Sequence, residues 1–223
     1  MTSIRNVLAA LVFTVTAAPA SAFDKHVIVA LDISASTPLV TNRAFAARAA
    51  KAVDRYLADL ETGDRFTLGY IGEYGLSSDL QPWEAMLSRR TPPIKVRRST
   101  EQLIAGLPSL VTGARIDRAQ STNIVGYLEL AGYSVDCATT ETVFVVISDG
   151  IESSDRVDGL QLMNGEALLP AVSDDRLKGC ALVMLGVGQI TQGATPMLTS
   201  RLVKAWADWA EAAGMAFTPK PGL

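Results

Sequence analysis

The stretch His26-Val-Ile-Val-Ala-Leu-Asp32-Ile-Ser34-Ala-Ser36 is an apolar run that ends in an aspartate and two serines spaced D-x-S-x-S. A continuous Val, Ile and Leu run without polar alternation reads as a strand buried on both faces, the kind found in parallel sheets. Its last residues therefore deliver three hard oxygen donors together at the carboxyl end of the strand. Two more segments carry similar groups. Ser121-Thr122-Asn123 opens a helical pattern, and Val143-Phe-Val-Val-Ile-Ser148-Asp149-Gly150 is a second buried run that ends in a carboxylate. Asp32, Ser34, Ser36, Thr122 and Asp149 thus offer two carboxylates and three hydroxyls from separated parts of the chain.

Outward from these segments, strand and helix patterns alternate. Pro38 and Asn42 lead into a helix with Phe45, Ala49, Ala52, Val53, Tyr56, Leu57 and Leu60 at helical spacing, closed by Gly63. Residues 65–72 read as a strand, 73–93 as an irregular stretch rich in Gly, Ser and Pro, and 94–98 as a short edge strand. Helices follow at 101–110 and 123–132, the second with Ile124, Tyr127, Leu128 and Ala131 on one face. A strand at 142–147 precedes a polar loop at 152–158, and the ambiguous stretch 160–177 is expected to hold a short helix at 166–172. A strand at 180–187, a helix at 199–213 and a last strand at 215–218 complete the pattern. Trp206 and Trp209 sit at helical spacing with Leu202 and Val203, which makes them core residues. The alternation predicts an α/β fold: a doubly wound, mainly parallel six-stranded sheet with helices on both faces, a Rossmann-like arrangement in one domain over 23–223.

Residues 1–22 read as a secretory signal peptide. Arg5 precedes an apolar stretch at 7–18, and Ala20-Ser21-Ala22 forms a small-x-small cleavage pattern. That stretch is shorter than the ~20 residues needed to span a bilayer. No cysteine stands at the cut to carry a lipid, and no later segment is long and apolar enough to span. The mature chain is expected to begin near Phe23 as a periplasmic or secreted protein. In that setting Cys137 and Cys180 are expected to be oxidised. Cys137 precedes the strand at 142–147 and Cys180 opens the strand at 180–187, so with those strands as parallel neighbours a disulfide between them would lie at the amino ends of the sheet, away from Asp32, and contribute about 4 kcal/mol on the chain-entropy estimate.

The formal net charge of −3 argues against general nucleic-acid binding. Arg89, Arg90, Lys95, Arg97 and Arg98 form a local basic run, read as a solvated loop or a charged edge strand, with a patch for a polyanion or an acidic partner as the alternative.

Aspartate and hydroxyl oxygens without histidine or thiolate favour a small hard cation, Mg²⁺ or Mn²⁺, over Zn²⁺. The only histidine, His26, begins the first strand and belongs at the far edge of the sheet. In open α/β sheets, ligands gather outside the carboxyl ends of the strands, where Asp32 and Asp149 are expected to meet.

These residues resemble the von Willebrand factor A (vWA) domain and its metal-ion-dependent adhesion site. Asp32-Ile-Ser34-Ala-Ser36 resembles the first loop of that site, Thr122 in Ser-Thr-Asn-Ile the second, and Asp149 in Ile-Ser-Asp-Gly the third. Gly186-Val-Gly188 is similar to the family's turn after the fifth strand. The likeness runs from Lys25 to about Thr218. It implies that Ser34, Ser36 and Thr122 ligate the metal directly or through water, with Asp32 and Asp149 supplying the charge. It also implies one short antiparallel edge strand, for which 94–98 is the candidate. Two departures stand out. The segment between the first and second loops is long, its excess assigned to 73–93 as an overhang on the metal edge. Pro219-Lys-Pro221 leaves no room for the family's final helix, which implies a site only weakly coupled to global shape.

The leading functional expectation is an exported, non-enzymatic binding module whose Mg²⁺ accepts an Asp or Glu from a partner protein. A metal-dependent hydrolase of phosphate esters is the alternative, with Glu152 as the only nearby base and without the second aspartate of a D-x-D nucleophile motif. A structural subunit of an envelope or secretion assembly is the third reading.

Overall fold

A computed structural model describes residues 25–73, 75–76, 80–191 and 194–223, so the expected signal peptide at 1–22 lies outside the described residues. The elements in chain order are β1 (Lys25–Asp32), α1 (Arg43–Leu57), β2 (Arg65–Gly72), β3 (Gly75–Leu76), β4 (Trp83–Met86), α2 (Pro93–Thr112), α3 (Ile124–Gly132), β5 (Glu141–Ile147), α4 (Gly159–Asn164), β6 (Ala181–Leu185), α5 (Pro196–Ala212) and β7 (Ala216–Lys220). One sheet carries the order β3-β2-β1-β5-β6-β7, and β4 also pairs with β2. All pairings among β1, β2, β5, β6 and β7 are parallel. This is the doubly wound, mainly parallel α/β architecture that the alternating pattern predicts.

Each apolar strand divides its side chains between two cores because successive residues point to opposite faces. Val27, Val29 and Leu31 of β1 join Val145 and Ile147 of β5 in a core covered by α1 and α2. Ile28 and Ala30 join Phe144, Val146, Leu182 and Met184 in the other, under α3 and α5. Trp206 and Trp209 lie in that second core, edge to face at 5.6 Å, as their helical spacing predicts.

The antiparallel edge departs from expectation. Residues 94–98 are the first turns of α2, which starts at Pro93 with Pro92 as its cap and therefore extends well before the expected 101–110 helix. Proline suits a first helical position because its missing N–H has no intrahelical partner there. Val96, Thr100, Ile104 and Leu107 then recur at helical spacing and are buried. The edge position falls to β3 and β4, inside the stretch read as irregular. β3 pairs with the end of β2 and β4 with its beginning, so these two strands lie along the outer edge of β2; the expected overhang on the metal edge involves residues 74 and 77–79, which lie outside the described residues. Trp83 anchors β4 by packing edge to face on Phe66 at 5.2 Å.

The expected helix at 166–172 is absent. Asp158 caps α4 earlier, accepting from Gln161 N–H at 3.0 Å, and Gly165 ends it in a left-handed conformation (φ 77°). The basic run is split between a loop and the start of α2, where Arg97 forms two 2.8 Å hydrogen bonds with Asp54 of α1. Cys137 and Cys180 form the expected disulfide, with Cα atoms 5.1 Å apart and a sequence separation of 43. It lies just before β6, on the edge opposite Asp32. After β7 the described chain has no further helix, and among the described residues no helix is long and apolar enough to cross a membrane.

Candidate metal centre

β1 leads through α1 to β2 on one side, while β5 leads through α4 to β6 on the other. The crevice outside the carboxyl ends of β1 and β5 is therefore the topological switch point, where a doubly wound sheet opens a binding site. Asp32 closes β1, Asp149 lies just past β5, and both are fully buried at 0% exposure.

The two carboxylates are held differently. Asp32 Oδ1 accepts from Ser34 N–H at 2.9 Å, and its Oδ2 accepts from the Ser148 hydroxyl at 2.7 Å. Ser148 Oγ in turn accepts from Gly150 N–H at 2.9 Å. Asp149 Oδ1 accepts from Ile151 N–H at 2.9 Å, but its Oδ2 is buried without a hydrogen-bond partner. The hydroxyls of Ser34 and Ser36 are 3.1 Å apart. Burial raises the Asp32 carboxyl above its ordinary range, against the bonds from Ser148 and Ser34. Asp149 is pushed up to about 7, by burial first and then by the charge of Asp32, against the Ile151 N–H and the Ser36 hydroxyl.

Thr122 occupies the adjoining loop, buried at 2% exposure. Its backbone N–H donates to Ser153 O at 2.8 Å, and its carbonyl accepts from Ser153 N–H at 2.8 Å. No hydrogen bond joins the Thr122 side chain to the cluster of Asp32, Ser34, Ser36 and Asp149. Three further ties fix the loops. Ala119 N–H donates to Ile33 O at 3.1 Å, Thr191 Oγ1 donates to Ser36 O at 3.0 Å, and Gly188 N–H donates to Asp149 O at 2.7 Å. Gly188 has φ 76°, and a Cβ there would lie 2.3 Å from Thr199 Oγ1, so the turn after β6 needs glycine at this point.

Three roles here escaped the sequence reading. Ser148 holds Asp32, a role visible only once β1 and β5 are known to pair in the register Leu31↔Ile147. Trp206 Nε1 donates to Gly150 O at 2.8 Å and steadies the Asp149 loop from beneath. Glu152, the candidate base, is fully buried and caps α3: its Oε2 accepts from Ile124 N–H at 2.7 Å and Val125 N–H at 3.1 Å, while Oε1 has no partner. An anion at a helix N-terminus satisfies orphan N–H groups and the helix dipole together. His26 lies at the opposite end of β1, with Nε2 2.9 Å from Thr67 Oγ1, as expected.

The donor set suits a hard divalent cation. Two buried carboxylates side by side are costly unless a proton or cation satisfies them, and Asp149 Oδ2 is such an unsatisfied oxygen. Among the described residues no group of three or more His, Cys, Asp or Glu side chains gathers, so a cation here would depend on hydroxyls beside the two aspartates.

No protein-family model matches the chain, and no curated protein matches it. Solved structures with some likeness include the pilus adhesin SpaC from Lactobacillus rhamnosus GG, at 12% identity and a TM-score of 0.49, covering 89% of this chain. This chain spans 28% of the SpaC chain. The manganese-loaded TRAP protein of Plasmodium vivax has 10% identity and a TM-score of 0.43, covering 88% of this chain and 69% of that one.

Proposed function

We propose that the chain is an exported, non-enzymatic protein-binding module of the vWA type, in which Asp32, Ser34, Ser36, Thr122 and Asp149 would hold Mg²⁺, or Mn²⁺ in its place. The observation that carries this reading is the buried, unpartnered Asp149 Oδ2 beside the buried Asp32 at the switch point. A bound ion would supply a Lewis-acidic point able to accept an Asp or Glu side chain from a partner protein. The chain's own residues prepare that point. Ser148 and the Ser34 N–H fix the orientation of Asp32, the Ile151 N–H fixes Asp149, and the Ser153 strap fixes the Thr122 backbone.

Binding is favoured over hydrolysis by the placement of the bases. Glu152 Oε2 is committed to the α3 N-terminus, and His26 belongs to the other end of the sheet. Export is supported by the leader-like residues 1–22 and by the Cys137–Cys180 disulfide, a bond of oxidising compartments.

Capture from an envelope extract by the immobilised mature chain tests this function. Capture should be lost in chelator, return with Mg²⁺, and fail for Asp32→Ala. Capture that ignores chelator contradicts the metal-bridged mechanism.

A further inference from the structure

Leu168 is the most exposed large apolar side chain among the described residues, at 85% exposure. Its neighbours hold it outward. Ala167, Leu169 and Val172 pack on the core under α5, and Trp209 Nε1 donates to Pro170 O at 3.0 Å. Leu168 also divides two hollows that succeed one another along α5. The larger, of about 400 Å³, has Leu162, Ala167 and Ala205 among its apolar lining and Lys204 and Asp208 at its rim. The smaller, of about 230 Å³, is lined by Pro170, Val172, Ala205 and Trp209. Leu168 borders both, so an apolar knob stands directly beside an apolar hollow able to hold it.

We propose that this surface joins two copies of the chain about a twofold axis, each Leu168 seated in the larger hollow of the other copy. A knob beside a hollow is self-complementary, because a twofold axis in the contact plane that passes between them exchanges their positions. Knob and hollow succeed one another along α5, so the axis crosses α5 and sets the two copies of that helix antiparallel. Lys204 and Asp208 are exposed, one turn apart and paired at 2.7 Å. Antiparallel helices bring them opposite Asp208 and Lys204 of the second copy. The charge pattern is complementary to itself in that orientation, which selects a second copy over an unrelated partner or a lipid surface. The first turn of α5 lies at the cation edge, where Thr199 sits against Gly188 and Gly188 N–H donates to Asp149 O. The dimer therefore turns its two candidate cation sites to opposite ends. The contact itself requires no bound ion.

The test is sedimentation velocity of the mature chain in chelator, which separates the result from the fate of the cation site. The parent chain should pass from monomer to dimer as its concentration rises to about 100 μM, and Leu168→Asp should raise the dimer Kd at least about tenfold. Because Leu168 is exposed, that variant should keep the parent circular dichroism spectrum. Lys204→Asp and Asp208→Lys should each weaken self-association, since antiparallel pairing sets like charges together. An equal mixture of the two should recover the dimer, because each variant then faces its opposite charge. A monomer at every concentration, a dimer indifferent to Leu168→Asp, or a mixture no tighter than its components would overturn the proposal. So would a monomer whose binding to phosphatidylglycerol vesicles or to a second protein is lost in Leu168→Asp, because that assigns the surface to a different occupant.

Discussion

Ser148 and Asp32 are 116 residues apart in sequence, yet the Ser148 hydroxyl donates to Asp32 Oδ2 at 2.7 Å and so locks the ends of β1 and β5 together. Removing that donor leaves a buried carboxylate oxygen unpaired. Ser148→Ala should lower unfolding stability by about 1–3 kcal/mol in a urea titration, whereas Ser173→Ala, at an exposed loop position, should stay within about 0.5 kcal/mol.

Glu152 is expected to act through α3. Glu152→Ala removes the acceptor for Ile124 and Val125 N–H and should cost about 1–2 kcal/mol. Hydrogen exchange at those two amides should accelerate more than at the middle of the helix. Unchanged exchange there would contradict the capping role.

Much of this was legible in the sequence because buried parallel strands are continuous apolar runs. β1, β5 and β6 announce themselves, and so do the oxygen donors placed just after the first two. The edge was harder to read. β3 and β4 are short pieces with one neighbour each, so neither needs a long apolar run. The start of α2 looked like a strand because Ile94 and Val96 alternate with charged residues, while its proline start was the stronger signal. The holding role of Ser148 and the capping role of Glu152 were invisible for another reason, since they depend on strand register and on which helix start lies nearby. Both are properties of the folded chain.

His26 should make the protein acid-sensitive in a defined window. Burial, and then the charge of Arg65, lower its pKa from 6.5 to about 4, and Glu84 shares the same cleft. Between those values the unfolded chain takes up a proton that the native chain refuses. The contribution of His26 is therefore complete above pH 6.5 and lost as the pH falls towards 4. His26→Gln keeps a polar group towards Thr67 and should lose less stability than the parent chain between pH 7 and pH 4.5, read by urea unfolding. An identical loss in both would contradict this assignment.

The Cys137–Cys180 bond should matter for stability and not for the cation. Cys137→Ser/Cys180→Ser should lower stability by about 4 kcal/mol, with Mg²⁺ affinity unchanged at a temperature where the variant stays folded. A large loss of affinity in the folded variant would mean that the two edges of the sheet are coupled.

The most direct test is a calorimetric titration of Mg²⁺ into the chelator-treated mature chain and its Asp149→Ala and Thr122→Val variants. A hard-cation site at the switch point predicts saturable binding at one site per chain, abolished by Asp149→Ala and weakened by Thr122→Val. No saturable binding in the parent chain, or equal binding in all three proteins, would contradict it.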